Sequence, residues 1–288
     1  MILVVGASGK LGGSIAARLL KAGKAVRILT RENPDYRTHV AAGAEEVAGD
    51  LKDRASLDAV CRGVDTVITT ATAAQRGGPD TLESVDLNGV GNLIDAAQAA
   101  GVKHFIYISS TGADPDSPNP YFMAKGQNEK RLRESGMSYT ILTPHVYLDI
   151  WLGLAFGMPL QAGQPITLVG KGDHKHSFIA VEDVASFAIA AVDHPAAQNQ
   201  QLLLGGPAPV SFCDIAAQVG NVMGKELPVN FVPMGAPIPL IPESLWGFLY
   251  FLESYEFNID MSELPGTYGV AMTSVQDLAR QMFLSRAQ

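Results

Sequence analysis

The chain alternates short apolar runs with stretches whose apolar residues recur at helical spacing. Met1 to Val5 (MILVV) is a continuous apolar run, the pattern of a strand buried on both faces. Ile15, Leu19 and Leu20 then recur on one helix face, and Gly23 stops the pattern. Further strands are predicted over Ala25 to Thr30, Glu46 to Ala48, Asp65 to Thr70, His104 to Ser109 and Ser138 to Leu142. Between them Leu57 to Cys61, Val85 to Ala100 and Phe122 to Ser135 read as helices. Strands alternating with helices predict right-handed crossovers and a parallel sheet covered on both faces.

After Pro144 the rhythm changes. Residues 145–177 carry glycines and few clear elements. Ser177 to Val181 reads as a strand, Glu182 to Val192 and Ser211 to Met223 as helices, and Leu227 to Val232 as a short strand. The prolines between Pro233 and Pro242 exclude regular structure there. Ser244 to Tyr255 is apolar and aromatic, and Ser274 to Phe283 predicts a terminal helix. The expected fold class is α/β. A Rossmann-type doubly wound parallel sheet spans residues 1–145. A smaller mixed region, residues 146–288, returns one or more elements to the sheet and forms the substrate pocket.

Composition narrows the function. Of the 288 residues 47% are apolar, as in an ordinary globular protein. Charged residues are only 17%, against about 25% in typical domains. The net charge is 21 − 29 = −8, which suits no phosphate backbone, so no nucleic-acid partner is expected. Sixteen of the 21 cations lie in residues 1–144 and five in the second half. That second half therefore has the composition of an apolar substrate region or of a protein-facing surface. The two cysteines, Cys61 and Cys213, make no disulfide or metal motif, and both are expected to be buried. Neither a signal peptide nor an apolar run of about 18 residues is present. A reduced, cytoplasmic protein without a membrane span is expected.

Gly6-Ala7-Ser8-Gly9-Lys10-Leu11-Gly12 follows the first strand and opens the first helix. In such a turn the first glycine permits the bend, the second lets the backbone approach a pyrophosphate, and the third lets helix and strand pack closely. The helix N-terminus then faces the phosphates. Arg31 ends the second strand, where an acidic residue would hold a ribose 2′-hydroxyl. An arginine there suits a 2′-phosphate instead, which favours NADP(H) over NAD(H). Glu32 is adjacent and works against that reading. Asp50, after the third strand, is either an adenine contact or a simple turn residue.

Tyr121 and Lys125 are four apart at the start of a predicted helix, on one face. A nearby ammonium lowers a phenol's pKa from its usual value of about 10 and equips it to protonate a carbonyl oxygen. A hydroxyl from Ser109, Ser110 or Thr111 could orient that carbonyl. The competing expectation for Lys125 is a surface pair with Glu129, its i+4 neighbour.

The stretches VVGASGKLGG, AVRILTRE, VAGDL, AAGVKHFIYISSTGAD, YFMAKGQNEKRLRESGMSYTILTP, HSFIAVEDVA and YGVAMTSVQDL together resemble the atypical, NmrA-like branch of the short-chain dehydrogenase/reductase superfamily. The resemblance implies an NADP-preferring Rossmann domain and a smaller C-terminal substrate region. It implies that Gly6, Gly9 and Gly12 hold the pyrophosphate within the loop containing Ser8, Lys10 and Leu11. Arg31 would hold the 2′-phosphate, Asp50 and Leu51 the adenine, and Ala71 and Thr72 would lie along the cofactor. Thr111, Tyr121 and Lys125 match the catalytic hydroxyl, tyrosine and lysine. Pro144 and His145 would border the nicotinamide. The chain departs from the branch at Thr143, where arginine is common, and in the three prolines (Pro115, Pro118 and Pro120) that precede Tyr121.

Other motifs carry simpler readings. His174 and His176 are two apart, but no metal site is expected, and a polar loop before a strand accounts for them. Glu182 and Asp183 suit the N-terminus of the helix they begin. Trp246 to Phe257 holds six aromatics, read either as a helix packed on the core or as a pocket wall faced by His145, Tyr147, Trp151 and Phe156. The expected function is an NADPH-dependent oxidoreductase reducing a small apolar carbonyl or quinone-like acceptor. The alternative is a non-catalytic NADP(H)-binding redox sensor or assembly factor that docks a protein partner. A sugar-nucleotide epimerase or dehydratase is a weaker third, since five cations over residues 145–288 suit a diphosphate poorly.

Overall fold

Each apolar run of the first half becomes a strand of one sheet in the computed structural model, which describes residues 1–31, 36–74 and 78–284. The strands are β1 (Ile2–Val5), β2 (Val26–Thr30), β3 (Glu45–Ala48), β4 (Thr66–Thr69), β5 (His104–Ile108) and β6 (Ser138–Pro144). Helices α1 (Lys10–Lys21), α2 (Arg37–Ala41), α3 (Arg54–Val60), α4 (Val90–Ala99) and α5 (Pro120–Glu134) alternate with them. A π-helical stretch, Leu82–Gly89, leads directly into α4. The predicted helix over Val85 to Ala100 therefore starts earlier. Thr81 and Ser84 form a reciprocal capping box at its head.

The sheet has seven strands in the order β3-β2-β1-β4-β5-β6-β8, where β8 is Gln200–Leu204. Pairings from β3 through β6 are all parallel. The strand order reverses beside β1, where β2 lies on one side and β4 on the other. In open α/β sheets such a reversal leaves a crevice at the carboxyl ends of the strands. β8 was not legible in the sequence. Its Leu202 and Leu204 are buried while Leu203 between them is exposed, so QQLLL alternates although its leucines look continuous.

The chain divides into two compact units. The first comprises Met1–Pro144, Val184–Leu203 and Tyr268–Val270. Its core joins Leu3, Val67, Phe105 and Ile141 of the sheet to Leu57, Leu93 and Leu132 of the helices.

The second unit comprises His145–Asp183, Leu204–Thr267 and Ala271–Gln288. It carries more structure than its glycines suggest. Helices α6 (Leu148–Trp151) and α7 (Met158–Gln161) flank a π-helical stretch, Leu152–Gly157. Strand β7 (Ile166–Val169) pairs in parallel with β9 (Val229–Val232). Helix α8 (Val181–Asp193) crosses the division between units, and α9 (Phe212–Met223) starts at Ser211, which caps it. The aromatic segment forms α10 (Trp246–Leu252), and the tail forms α11 (Leu264–Tyr268) and α12 (Val275–Ala279). The proline-rich segment lacks regular structure and is tied to α10. Trp246 Nε1 donates to Ile241 O and the Tyr250 hydroxyl to Ala236 O.

Two expectations are corrected here. Ser177 to Val181 is not a strand, because its backbone bonds go to several segments rather than one ladder. Ser177 N donates to Phe257 O and Ile179 N to Val146 O, while the adjacent His176 N donates to Val210 O. Cys61 is buried as expected, but Cys213 is only half-buried and its thiol reaches the Lys171 carbonyl.

Candidate active site at the carboxyl edge of the sheet

The glycine turn joins β1 to α1. Gly6 has φ +94°, a conformation L side chains rarely adopt. A Cβ on Gly12 would collide with the Gly6 carbonyl and with Thr70 Oγ1, so close packing of α1 on the turn demands glycine there. Gly9 differs. Its φ is −84°, and a Cβ would meet only Gly6 O at 3.4 Å, an ordinary contact. Nothing inside the fold requires glycine at position 9. The N-cap residue of α1 is Gly9, which has no side chain to cap it, and no acidic residue occupies the first turn. The N–H groups of a helix's first turn lack intrahelical acceptors and carry the positive end of its dipole. The turn therefore fits the pyrophosphate of a dinucleotide.

Two strands away, β5 ends at Ile108 and α5 returns across its carboxyl edge. Pro120 occupies the first turn of α5, and Asn119 caps it by accepting from Tyr121 N. Pro120 thus starts the helix. Gly126 lets the preceding loop cross closely, since a Cβ there would strike Asp114 and Pro115. Lys125 is 3% exposed. Its Nζ donates to Ile108 O at 3.2 Å and lies 3.8 Å from Asp86 Oδ1. The ammonium also stands over the rings of Tyr107 and Tyr121, 5.2 and 5.6 Å from their centroids.

This arrangement corrects two expectations. Lys125 is not half of a surface pair: Glu129 is itself buried, accepts from Ser109 Oγ at 2.6 Å and pairs with Arg133. Nor is the phenol's pKa depressed. Burial pushes Tyr121 up to about 12, with Ser110 pulling it part of the way back. The ammonium faces the ring and is itself shifted down by burial, against the opposing pull of Asp86. At neutral pH Tyr121 is a fully protonated phenol.

Of the candidate hydroxyls, Ser109 is committed to Glu129. Ser110 Oγ, which faces Tyr121, and Tyr107 OH are buried without a well-formed hydrogen bond among the described residues, and Asp86 Oδ1 faces the Lys125 ammonium at 3.8 Å. Buried polar atoms of this kind cost roughly 1–3 kcal/mol each when unpaired. Two such hydroxyls beside one buried ion pair mark a place where the fold is not satisfied by itself. Thr111 is half-buried, and its N–H donates to Pro144 O, tying the ends of β5 and β6 together. Thr143, standing where arginine was expected, is buried and donates to Leu202 O of β8.

Asp86 was missed in the sequence because it sits inside an apolar helical pattern, VDLNGV. It is fully buried and accepts from Ala73 N through its other oxygen. Asn128, one turn after Lys125, braces the same stretch by donating to Asp86 O and Leu87 O.

On the β2 side, Arg31 is not free to await a phosphate. Its Nη1 lies 2.9 Å from Asp80 Oδ2 and 3.7 Å from Asp50 Oδ2. Asp50 also makes the turn anticipated for it, accepting from Lys52 N. The Leu51 side chain is buried in the core instead of lying open to a ligand. Ala71 and Thr72 are half-buried after β4, and Thr72 Oγ1 accepts from Ala74 N. Ser8 and Leu11 are half-buried and Lys10 is exposed. Glu32 lies outside the described residues.

Within the second unit, the proposed pocket wall is largely core. Trp151 is buried and stacks on Phe248 at 5.5 Å, and Phe156 is fully buried against Phe212. Only Tyr147 keeps partial exposure. A small cavity in this unit is lined by Ala155, Leu168, Phe212, Leu249 and Glu253, and by none of His145, Tyr147, Trp151 and Phe156. His145 and His176 form a buried pair, Nε2 to Nδ1 at 3.3 Å, and His176 Nε2 meets Leu252 O at 2.8 Å. A carbonyl only accepts, so His176 carries its proton on Nε2 and offers Nδ1 to His145 Nε2–H. Burial holds both below the usual histidine range, His145 at about 4. His174 comes within 3.7 Å of Asp173 and Glu253. However, Glu253 Oε1 already accepts from Lys171 N and Gly172 N. Glu182 and Asp183 do occupy the first turn of α8, and Asp183 also holds Thr273 through both its oxygens.

A family model described as the NmrA-like family matches residues 1–264. The chain belongs to the NmrA-like family. Within it, the chain is 32% identical over 232 residues to an NAD(P)H azoreductase of Xenophilus azovorans, spanning 81% of this chain and 76% of that one. It is 29% identical over 235 residues to the Photosystem II assembly factor Ycf39 of Trieres chinensis, spanning 81% and 72%. Among solved structures, the NADPH complex of the NADPH-dependent quinone oxidoreductase QOR2 of Escherichia coli matches with TM-score 0.80 and 23% identity, over 98% of this chain and all of that one. At that identity the likeness concerns the fold. Among the described residues no helix is long and apolar enough to cross a membrane.

Proposed function

We propose that this NmrA-like chain is an NAD(P)H-dependent oxidoreductase that reduces a small apolar carbonyl or quinone-like acceptor and prefers NADPH. The observation that carries the reading is the buried Lys125, held by Ile108 O and Asp86 beside the Tyr121 ring at the carboxyl edge of the sheet. The NAD(P)H azoreductase, alike over most of both chains, supports a reductase.

The bound nicotinamide would supply hydride. The glycine turn, with Gly9 at the N-cap of α1, would hold the pyrophosphate. Tyr121 would donate its proton to the acceptor oxygen as that oxygen gains negative charge. Lys125, held by Ile108 O and Asp86 beside the ring, would keep the phenol in place for that transfer. Lys125 would also reach the cofactor ribose. Ser110, whose Oγ is buried facing Tyr121, or Thr111 beside it would orient the acceptor. We assign cofactor binding to residues 1–145 and acceptor selection to residues 146–288, with Pro144 and His145 bordering the nicotinamide.

The test is to measure NADPH and NADH binding by calorimetry and then NADPH oxidation against quinones, azo dyes and aromatic carbonyls. Binding followed by acceptor-dependent oxidation is expected. Binding without oxidation across the panel would favour the second reading, an NADP(H)-reading assembly factor with a protein partner. The likeness to Ycf39 and the exposed Phe231 and Met234 support that alternative.

A further inference from the structure

Four charged side chains meet at the end of β2. Asp80 lies between two cations: Arg31 Nη1 stands 2.9 Å from its Oδ2, and Lys52 Nζ stands 2.7 Å from its Oδ1. Asp50 flanks both cations more loosely, at 3.7 Å from Arg31 and 3.8 Å from Lys52. Among the described residues, the two cations and two carboxylates of this cluster carry charges that cancel. The Asp80 side chain is only 9% exposed, while Arg31 and Lys52 keep 37% and 36% of theirs open. The carboxylate is tucked beneath, and the cations face outward.

We propose that Asp80 sets the choice between NADPH and NADH, holding Arg31 and Lys52 in the place that a 2′-phosphate would take. The inference rests on the cofactor reading above. A carboxylate and a phosphate present the same kind of acceptor oxygens to a guanidinium and an ammonium. A 2′-phosphate brings a charge approaching −2 to donors that the Asp80 oxygens already occupy, so its full attraction needs Asp80 to let go. NADH brings no such charge and leaves the Asp80 contacts intact. Asp80 therefore subtracts from NADPH binding selectively, and the chain's preference is weaker than Arg31 alone would give.

The geometry also names the part that would move. Gly78 has φ +74°, and Thr81 caps the helical stretch beginning at Leu82. Asp80 thus sits in a short connection between a glycine turn and a fixed helix start. Its release would loosen that connection and leave the sheet undisturbed.

The experiment is to titrate the full chain and its Asp80→Asn variant with NADPH and with NADH, using calorimetry. Asp80→Asn keeps the shape and removes the competing charge. It should tighten NADPH by about tenfold, the scale of one charged hydrogen bond, and change NADH by less than about twofold. Equal changes for both cofactors, or no change for either, would overturn the role of Asp80. Wild-type protein that binds neither cofactor would instead overturn the cofactor reading itself. A second measurement needs no variant. Amide hydrogen exchange over residues 78–81 should quicken when NADPH binds and stay unchanged when NADH binds. Equal protection with both would contradict displacement.

Discussion

Lys125 Nζ lies 3.8 Å from Asp86 Oδ1, with both side chains buried and no other carboxylate in an ion pair with that ammonium among the described residues. A buried cation is expensive unless a counter-charge and hydrogen bonds accompany it. Asp86 supplies the charge, Ile108 O a hydrogen bond, and the rings of Tyr107 and Tyr121 the rest of its surroundings.

Removing the counter-charge is therefore predicted to be costly. Asp86→Asn should lower the unfolding free energy by about 3 kcal/mol, as when one partner of a buried pair is lost. Asp86→Asn combined with Lys125→Met should recover most of that loss, because no charge is then stranded. Chemical denaturation of the two single variants and the double variant checks this. Additive losses would show that the two residues are not coupled.

Gly9 and Gly12 should separate binding from folding. Position 12 has no room for a Cβ, whereas position 9 has room and an ordinary φ. Gly12→Ala is predicted to lower the melting temperature clearly. Gly9→Ala should keep stability within about 1 kcal/mol of the parent, in the range of a tolerated glycine replacement. It should nevertheless weaken NADPH binding about tenfold or more by standing where the pyrophosphate must approach. Thermal melts and NADPH titrations of both variants decide it. A Gly9→Ala chain that binds normally would remove the turn from the cofactor site.

His145 predicts a pH dependence of stability. Its folded pKa is about 4 against 6.5 for the free side chain. Between those values the unfolded chain takes up the proton and the folded chain does not. Stability is thus fully present above about pH 6.5, falls as the pH drops towards 4, and levels off below it, a change of about 3 kcal/mol from this residue. Denaturation at several pH values should show the slope, and His145→Asn should reduce it. An identical slope in the variant would assign the effect elsewhere.

Much of this was legible beforehand because the relevant signals are local. The runs MILVV and HFIYI mark strands buried on both faces, and the glycine spacing marks the turn between β1 and α1. Tyr121 and Lys125 share a helix face by position alone. What was not legible depends on partners distant in sequence. Asp86 looks like one polar residue in an apolar helix until α5 brings Lys125 to it, 39 positions later (125 − 86). Arg31 looks free until Asp80 arrives from beyond β4. Trp151 and Phe156 look like a pocket wall by composition, but Phe248 and Phe212 cover them. The phenol's pKa turned on the same kind of fact, since burial raises it although a cation stands over the ring.

The raised pKa makes its own prediction. An ordinary phenol begins to lose its proton near pH 10, whereas Tyr121 holds its proton to about 12. If Tyr121 donates the proton, turnover should not fall through ionisation of this group between pH 7 and roughly 10. A pH–rate profile with saturating NADPH checks it, and a basic limb centred near 8 that disappears in Tyr121→Phe would contradict the pKa assignment.

The most direct measurement is the rate of NADPH oxidation by a quinone acceptor in wild-type protein and in Tyr121→Phe, with NADPH affinity measured on the same samples. The phenyl ring keeps the packing over Lys125 and removes only the hydroxyl. NADPH affinity should stay within about twofold, and the rate should fall by about 100-fold or more, as expected when a positioned proton donor is lost. Unchanged oxidation with intact binding would contradict Tyr121 as the proton donor.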